Sequence, residues 1–288
     1  MRKAIKKERK FSHYCRRNPL LVTGAVMLLL IAFATLAGPS LCKHDATKVN
    51  YSIKCLAPCL EYPFGTDFCG RCVFCRVING AHISIGVALA VVSIGAVIGV
   101  LVGVIAGYAG GAVDSVLMRF VEVMLSFPGT IFALAVLGTL GNGIPNQIVA
   151  LTVVRWAHYA RLARGETLVV MGSDYIEAAK AMGNSRLRII MKYVVPNIIG
   201  QVIVIATLSI GPVILAGAAL SYLGLGAQIP SPEWGLMINT GRDYIRQAPW
   251  ITVAPGLAAV ITVLAFNIFG EGIGDYIDPR MKEKVEAE

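Results

Sequence analysis

The run Ile83–Ala106, ISIGVALAVVSIGAVIGVLVGVIA, contains no charged residue over a length that can cross a bilayer as one helix. The chain has 288 residues, of which 56% are hydrophobic and only 15% are charged. A soluble domain is nearer to about 45–50% apolar and about 25% charged. We therefore predict an integral membrane protein made of α-helices, because a helix satisfies its own backbone hydrogen bonds in lipid.

Five further apolar runs lie on either side of this one, so we predict an all-α membrane protein with six transmembrane helices. The other runs are Leu20–Gly38, Val113–Leu140, Gln147–Leu162, Ile198–Tyr222 and Trp250–Phe269. The run 147–162 is the least apolar because Arg155 and His158 interrupt it. The first run also fits a signal peptide cleaved near Thr35, but the spans that follow favour an uncleaved first helix.

Lys and Arg are unevenly distributed between the loops, and this sets the predicted orientation. If the N-terminal segment is inside, 17 of these residues are cytoplasmic and 7 lie outside, the excess that is typical of cytoplasmic loops. The net charge of +9 thus reflects topology and not a nucleic-acid partner. The predicted organisation is a cytoplasmic basic segment 1–19, a first helix 20–38, an outer loop 39–82, a five-helix core 83–270 and a cytoplasmic tail 271–288.

A polar segment between the fourth and fifth runs has the pattern of two short helices joined by a turn. Ser173 or Asp174 can cap the first helix, with Glu177 as the capping-box partner. Gly183 marks a stop or a tight bend, and a second helix is predicted over Arg186–Tyr193. The segment is too polar to cross a bilayer, and the charge pattern places it on the cytoplasmic face.

Within this segment, Glu177-Ala178-Ala179, three further residues, Gly183 and a proline thirteen positions later resemble the EAA signature of permeases of ATP-binding-cassette importers. The resemblance implies that residues 173–193 form coupling helices, which dock in a groove of an ATPase subunit. It also implies that Glu177, Ala178, Ala179 and Gly183 are the residues that couple the permease to the ATPase.

Other stretches extend the resemblance over nearly the whole chain. They are Gly65-Thr66-Asp67 with Gly70-Arg71, Tyr222–Gly226, Pro232–Gly235, and Ala265–Asn267 with Asp278-Pro279. The chain most resembles the second permease subunit of dipeptide, oligopeptide and nickel importers. This implies the type I importer permease fold, a place in a prokaryotic cytoplasmic membrane, and N- and C-termini that are both cytoplasmic.

The same resemblance implies that the chain acts as part of an assembly. The implied partners are a homologous second permease, two ATPase subunits that carry ATP and magnesium, an extracytoplasmic substrate-binding protein and membrane lipid. The chain itself has no G-x-x-x-x-G-K-[ST] phosphate loop, since Gly141-Asn142-Gly143 is not followed by lysine. We therefore expect a transport subunit and not an enzyme.

Four ionisable residues inside the predicted spans are candidates for pathway or structural charges. Arg119 and Glu122 are one turn apart, within ion-pair reach on one helix face. Arg155 and His158 form a stripe on the fourth helix. Ionisable groups within a membrane normally face protein or a water-filled path. These four therefore either line the pathway or stabilise the helices that carry them.

Six of the seven cysteines fall in the predicted outer loop, and only Cys15 lies on the cytoplasmic side. An even number outside the membrane favours disulfides. The spacing Cys69-x-x-Cys72-x-x-Cys75, with Cys55 or Cys59 as a fourth thiolate, is also that of an iron–sulfur cluster, and zinc or nickel is a further alternative. The family has Asp and Ser at two of these positions, so the resemblance does not extend to this group. The sixth outer cysteine is Cys42.

The sequence as a whole predicts a permease that imports short peptides with energy from ATP. A nickel or metal-complex cargo is the alternative within the same family. Outside the family, a secondary transporter lacks support because the spans have no chain of midplane carboxylates. A membrane redox protein would need a second redox site besides the cysteine loop.

Overall fold

The computed structural model describes residues 18–277. The basic head with Cys15, and the tail motif Asp278-Pro279, lie outside the described residues. The described chain is largely helical. Its ten α-helices, in chain order, are α1 (Pro19–Leu41), α2 (Val73–Ala109), α3 (Gly111–Ser126), α4 (Gly129–Leu140), α5 (Ile144–Met171), α6 (Asp174–Ala181), α7 (Arg186–Ile189), α8 (Val195–Tyr222), α9 (Trp234–Gly241) and α10 (Trp250–Ile277).

Four helical stretches of the described chain are long and apolar enough to cross a membrane. They are α1, α2, the continuous stretch Arg186–Tyr222 and α10. Helices α3 and α4 make a fifth crossing if the bent pair is one span. The remaining predicted span lies in α5, which has 28 residues but is more polar, because it carries Arg155, Arg161 and Arg164.

The third predicted span, Val113–Leu140, is divided in two. Helices α3 and α4 meet at an angle of 91°. Phe127 between them is extended, with φ −89° and ψ 139°, because the residue before a proline is sterically excluded from the helical region. Pro128 then stands at the N-cap of α4. The run that was predicted as one span therefore consists of two helices joined at a sharp bend.

Helix α2 begins ten residues earlier than the predicted span at Ile83. Its 37 residues give a length of about 55 Å at about 1.5 Å per residue, while the hydrocarbon layer is about 30 Å thick. The first turns of α2 therefore belong to what was predicted as the outer loop 39–82. Cys75 and Arg76 lie on this first part of the helix.

Helix α2 packs against α5 through a line of glycines. A Cβ atom on Gly99 would lie 2.4 Å from the carbonyl oxygen of Trp156, and one on Gly103 would lie 2.4 Å from that of Ala160. The two backbones approach so closely that only glycine fits. This contact holds α5 at the centre of the fold despite its polar composition.

Helix α1 lies along α10 and is fixed at its N-terminal half by two further glycines. A Cβ on Gly24 would lie 2.5 Å from the backbone nitrogen of Phe269, and one on Gly272 would lie 2.6 Å from the Cα of Leu21. Only 11% of α1 is buried within the chain. The helix is thus a peripheral element attached to the core along one edge.

Candidate functional site

The segment with the EAA pattern folds as α6, a turn and α7, and one face of α6 fixes it to the core. Ile176 and Ala179, three residues apart, are buried with 0% and 1% exposure. Ile176 belongs to a small apolar cluster that includes Ala163 of α5 and Ile198 of α8. Because side chains three apart lie on one helix face, Ile176 and Ala179 fix the rotation of α6.

The N-terminus of α6 differs from the predicted capping box. Ser173 is the N-cap residue, but no side chain caps the helix, and the Ser173 hydroxyl donates a hydrogen bond to the carbonyl of Val170. Asp174 and Glu177 lie in the first turn, where negative charge interacts favourably with the helix dipole. The Glu177 carboxylate is exposed and is free of a capping role.

The predicted bend at Gly183 is confirmed. Gly183 has a φ of +77°, which side-chain-bearing residues rarely adopt. The turn is closed by Asn184, whose backbone N–H and side-chain amide both donate to the carbonyl of Ala179, at 3.3 and 2.9 Å. Ser185 then caps α7 by accepting a hydrogen bond from the backbone N–H of Arg188. These local contacts therefore set the direction of α7.

Several exposed side chains of this segment are apolar, and two of them are alanines. Ala178 and Ala181 of α6 are exposed, as are Met182 (72%), Leu187 (71%) and Met191 (62%). We call these five residues the coupling surface. A contiguous group of exposed apolar side chains marks an interaction site for protein or membrane, and alanines allow a partner to approach the helix closely.

Charged side chains of both signs surround the coupling surface. Glu177 and Lys180 are exposed on α6, and Arg186, Arg188 and Lys192 are exposed on the second half of the segment. Charges around an apolar patch orient a partner and raise the rate of association more than the affinity. The net basic balance suits a partner surface that carries acidic groups.

The coupling surface is continuous with a membrane-crossing helix. A π-helical turn over Ile190–Val194 connects α7 to α8, and Arg186–Tyr222 is one uninterrupted helical stretch of 37 residues. Pro196, the last residue of the EAA pattern, is the second residue of α8 and follows this π-helical turn closely. Helix α7 and helix α8 are therefore parts of one continuous helical element.

The four candidate charges are not gathered into one site in the described chain. Arg119 and Glu122 form the expected pair on α3, with 3.5 Å between Nη1 and Oε2, and both side chains are largely exposed. On α5, Arg155 is half-buried and His158 is exposed. Neither forms a salt bridge among residues 18–277. Exposed charges within a span are typical of residues that lie at a protein interface or along a water-filled path.

An ion pair that the sequence did not indicate joins α3 to α5. Arg164 donates to Asp114 from Nε and from Nη2, at 3.0 and 2.5 Å. The two residues are 50 positions apart, so no local pattern predicts the contact. Bidentate Arg–carboxylate pairs are strong and directional. This pair fixes the start of the bent α3–α4 element to the half of α5 that also packs on α6.

Two of the family-like motifs meet at the outer end of α2. Arg76 donates to the carbonyls of Ala46 (2.9 Å) and Ser231 (3.3 Å), and its Nε lies 3.6 Å from Asp67. The N-cap of α9, Glu233, accepts a hydrogen bond from Ser84 of α2 at 3.3 Å. The segment around Asp67 and the loop that precedes α9 thus meet at this end of the bundle.

The predicted metal ligands do not come together as one set. Cys59 is exposed, and Cys55 packs against the main core. Cys72 and Cys75 are buried side by side. Within residues 18–277, no group of three or more His, Cys, Asp or Glu residues is arranged to hold a metal ion. The geometry gives the iron–sulfur, zinc and nickel alternatives no support.

A third cysteine, outside the proposed ligand set, joins Cys72 and Cys75. Cys42 packs in the same small cluster, together with Ala46 and Tyr62. Burial raises the pKa of the Cys72 thiol from 9.0 to about 11, so this thiol is protonated at neutral pH. Cys69 interacts elsewhere, because its backbone N–H donates to the Asp67 carboxylate at 2.8 Å.

Comparison with known protein families gives one match that covers most of the chain. The family described as "binding-protein-dependent transport system inner membrane component" matches residues 99–283. Similar proteins include the probable D,D-dipeptide transport system permease protein DdpC of Escherichia coli strain K12, which is 40% identical over 263 residues, 91% of this chain and 88% of that protein. The glutathione transport system permease protein GsiD of Escherichia coli O157:H7 is 40% identical over 268 residues, 93% of this chain and 88% of that protein.

Solved structures share the fold at lower sequence identity. An inward-facing structure of the MetNI methionine ABC transporter aligns with a TM-score of 0.58 and 21% identity, over 70% of this chain and 96% of that chain. The crystal structure of an amino acid ABC transporter with histidines aligns with a TM-score of 0.53 and 14% identity, over 68% and 91%. The shared part has the type I importer permease fold.

Proposed function

The chain belongs to the family of binding-protein-dependent transport system inner membrane components, and from this we propose that it is the second permease subunit of an ATP-driven importer of short peptides. The family and the apolar helices together make it a multi-pass inner-membrane protein. The peptide cargo is supported by relatives named for D,D-dipeptide and glutathione transport, since glutathione is itself a tripeptide.

The proposal rests on the packing of α6, of which one face is buried against the core and the other is exposed. Ile176 and Ala179 are fully buried, while Ala178 and Ala181 on the opposite side are open. A helix rigidly attached on one face and small and exposed on the other is suited to receive a force from a docked protein. We assign that docked protein as an ATPase subunit of the importer.

Coupling follows from the connectivity of the segment. ATP binding closes two ATPase subunits, and the coupling surface moves with the subunit on which it docks. Helix α8 receives the displacement through the continuous stretch Arg186–Tyr222. Helix α5 receives it through Ala163, which packs in the same cluster as Ile176. The membrane helices then rock as packed units between inward-open and outward-open states.

The Arg164–Asp114 pair extends this movement to the bent element. Because Asp114 lies in the first turn of α3, a shift of α5 pulls the start of α3 with it. The bend at Phe127-Pro128 divides the element into two arms at 91°, so the arms can change their relative angle without breaking a regular helix. We assign the α3–α4 element to the wall of the translocation path.

The complete transporter in this proposal contains a homologous second permease, two ATPase subunits with ATP and magnesium, and an extracytoplasmic binding protein. The N- and C-termini and the coupling surface are assigned to the cytoplasmic side. The support for this orientation is the excess of Lys and Arg in the loops on that side.

The cargo is tested by reconstituting the complete transporter in proteoliposomes with ATP inside and the binding protein outside. Uptake of a radiolabelled dipeptide is compared with uptake of ⁶³Ni²⁺ under the same conditions. We expect ATP-dependent accumulation of the dipeptide and none of nickel. Accumulation of nickel without the dipeptide would contradict the peptide assignment while leaving the family assignment unchanged.

A further inference from the structure

The outer end of the fold contains a group of three thiols that the transport mechanism does not use. Cys42, Cys72 and Cys75 pack in one cluster. Cys72 and Cys75 are each 2% exposed, whereas Cys42 is half-exposed. Cys42 is the C-cap of α1, Cys72 is the N-cap of α2, and Cys75 lies in the first turn of α2. The cluster therefore lies where the first two helices meet.

Cys75 is the central member of this group. Its side chain packs in the same cluster as Cys42 and Cys72 and lies next to both. Two disulfides are therefore within reach, one between helices α1 and α2 and one within the first turn of α2. The two choices differ in what they constrain, because only the first joins parts of the chain that are distant in sequence.

Access favours the bond between the helices. Cys42 lines an open cleft of about 540 Å³, together with His44 and Asn79. A disulfide donor that enters this cleft meets Cys42 before it meets either buried thiol. Burial raises the pKa of both the Cys72 and the Cys75 thiols, and a protonated thiol is a poor nucleophile. The first attack on a donor therefore falls to Cys42, and Cys75 completes the bond as the buried thiol that lies next to Cys42.

We propose that Cys42 and Cys75 form a thiol–disulfide site on the outer side of the membrane, whose oxidised form joins α1 to α2 and leaves Cys72 reduced. The oxidant is a disulfide, either of a small thiol or of a protein. The Cys42 thiolate attacks the donor disulfide and releases one donor thiol. Cys75 then attacks Cys42 in the mixed disulfide and releases the second donor thiol. The cysteine pair loses two electrons and two protons, and the donor gains both.

The position of the bond gives it a structural effect. One turn before Cys42, helix α1 touches α2 closely, since a Cβ on Gly38 would lie 2.5 Å from the Cγ2 of Ile78. Most of α1 faces away from the rest of the chain, and 11% of it is buried. A covalent bond at its outer end would hold this peripheral helix against the core and would limit its separation from α2.

The test uses the full-length chain with Cys15, Cys55, Cys59 and Cys69 replaced by serine, so that only the three clustered thiols remain. The purified protein is equilibrated with oxidised glutathione, quenched in acid, denatured and labelled with a mass-tagged maleimide. We expect one tag per chain before reduction and three after it. Peptide mapping is expected to identify the Cys42–Cys75 cross-link, and the same cross-linked peptide in the unsubstituted chain shows that the serine changes did not create it.

Two single changes made in this background discriminate between the pairings. Cys72→Ser should leave the Cys42–Cys75 cross-link intact, with no tag before reduction and two after it. Cys75→Ser should abolish the intrachain cross-link and trap Cys42 as a mixed disulfide with glutathione. A Cys72–Cys75 cross-link in place of the expected one would overturn the proposal. Three free thiols after treatment with oxidised glutathione would overturn it equally.

Discussion

The guanidinium of Arg164 holds the carboxylate of Asp114 through two hydrogen bonds of 3.0 and 2.5 Å. The contact joins the central helix α5 to the first turn of the bent α3–α4 element. Arg164 lies one residue after Ala163, which packs in the same cluster as Ile176 of α6. In the proposed mechanism, the pair passes a displacement of α6 to the α3–α4 element.

Asp114→Asn and Arg164→Ala are each expected to slow ATP-dependent uptake, because they break this connection. Loss of one partner of a hydrogen-bonded charge pair costs about 1–3 kcal/mol, so a several-fold to hundredfold loss is the expected range. The exchange Asp114→Arg with Arg164→Asp re-forms the pair in the reverse sense and serves as the control. If the exchange variant is no better than the single variants, the pair does not carry the coupling.

Substitution of Gly99 by alanine is expected to destabilise the protein. The added Cβ would lie 2.4 Å from the carbonyl oxygen of Trp156, and an overfilled contact of this kind costs about 1–3 kcal/mol. Gly86 is on the same helix and has nothing within 4 Å of its Cβ position. Gly86→Ala is therefore the matched control. The unfolding temperature of the purified protein in detergent should be lowered by Gly99→Ala and not by Gly86→Ala.

Substitutions of Gly183 test whether this turn requires a left-handed backbone conformation, since the space around the residue is open. Its Cβ position is open, but its φ is +77°. Gly183→Ala should reduce ATP-dependent uptake because alanine strains this turn by about 1 kcal/mol, whereas Gly183→Asn should retain more activity since asparagine tolerates the left-handed region. Equal activity of the two variants would show that the left-handed turn does not set the orientation of α7.

The coupling surface is tested by Ala178→Arg. The residue is exposed, so the folded amount of protein should not change, but a long charged side chain would prevent close docking. The expected result is at least a tenfold loss of co-purified ATPase subunits. Leu60→Arg adds the same charge to a fully exposed position of the outer loop and should leave co-purification unchanged. Retention of the ATPase by the Ala178 variant would place the docking site elsewhere.

The raised pKa of Cys72 predicts a dependence of stability on alkaline pH in the reduced protein. The folded state holds the proton up to about pH 11, while the unfolded thiol ionises near its ordinary value of 9.0. Stability from this group is therefore complete below pH 9 and is lost as the pH rises towards 11. The melting temperature should fall less steeply over this window in Cys72→Ala than in the unsubstituted chain, and identical slopes would contradict the assignment.

The helical membrane fold and the coupling segment followed from the sequence because both are encoded locally. A charge-free run of 24 residues at Ile83–Ala106 has few other stable arrangements, and the bend at Gly183 needs only its own left-handed conformation. The 91° angle at Pro128 was harder to predict, because a proline in a span can either kink or break the helix. The choice is set by packing on neighbouring helices.

The contacts that organise the site could not be read from the sequence. Asp114 and Arg164 are 50 residues apart, and Cys42 is 33 residues from Cys75, so their proximity depends on tertiary structure. The Cys69-x-x-Cys72-x-x-Cys75 spacing left disulfides and a metal cluster both open, because spacing does not show which thiols are neighbours in the fold. Once α2 begins at Val73, its first turn directs Cys75 towards Cys42, and the ligand set is not formed in the described chain.

The central claim, that this permease moves its cargo with energy from ATP, is tested most directly by dipeptide uptake into proteoliposomes that contain both permeases and the two ATPase subunits. With the binding protein outside, uptake is predicted to require ATP inside the vesicles and to be insensitive to proton and sodium ionophores. Uptake by this chain without ATPase subunits, driven by an ion gradient alone, would contradict the account.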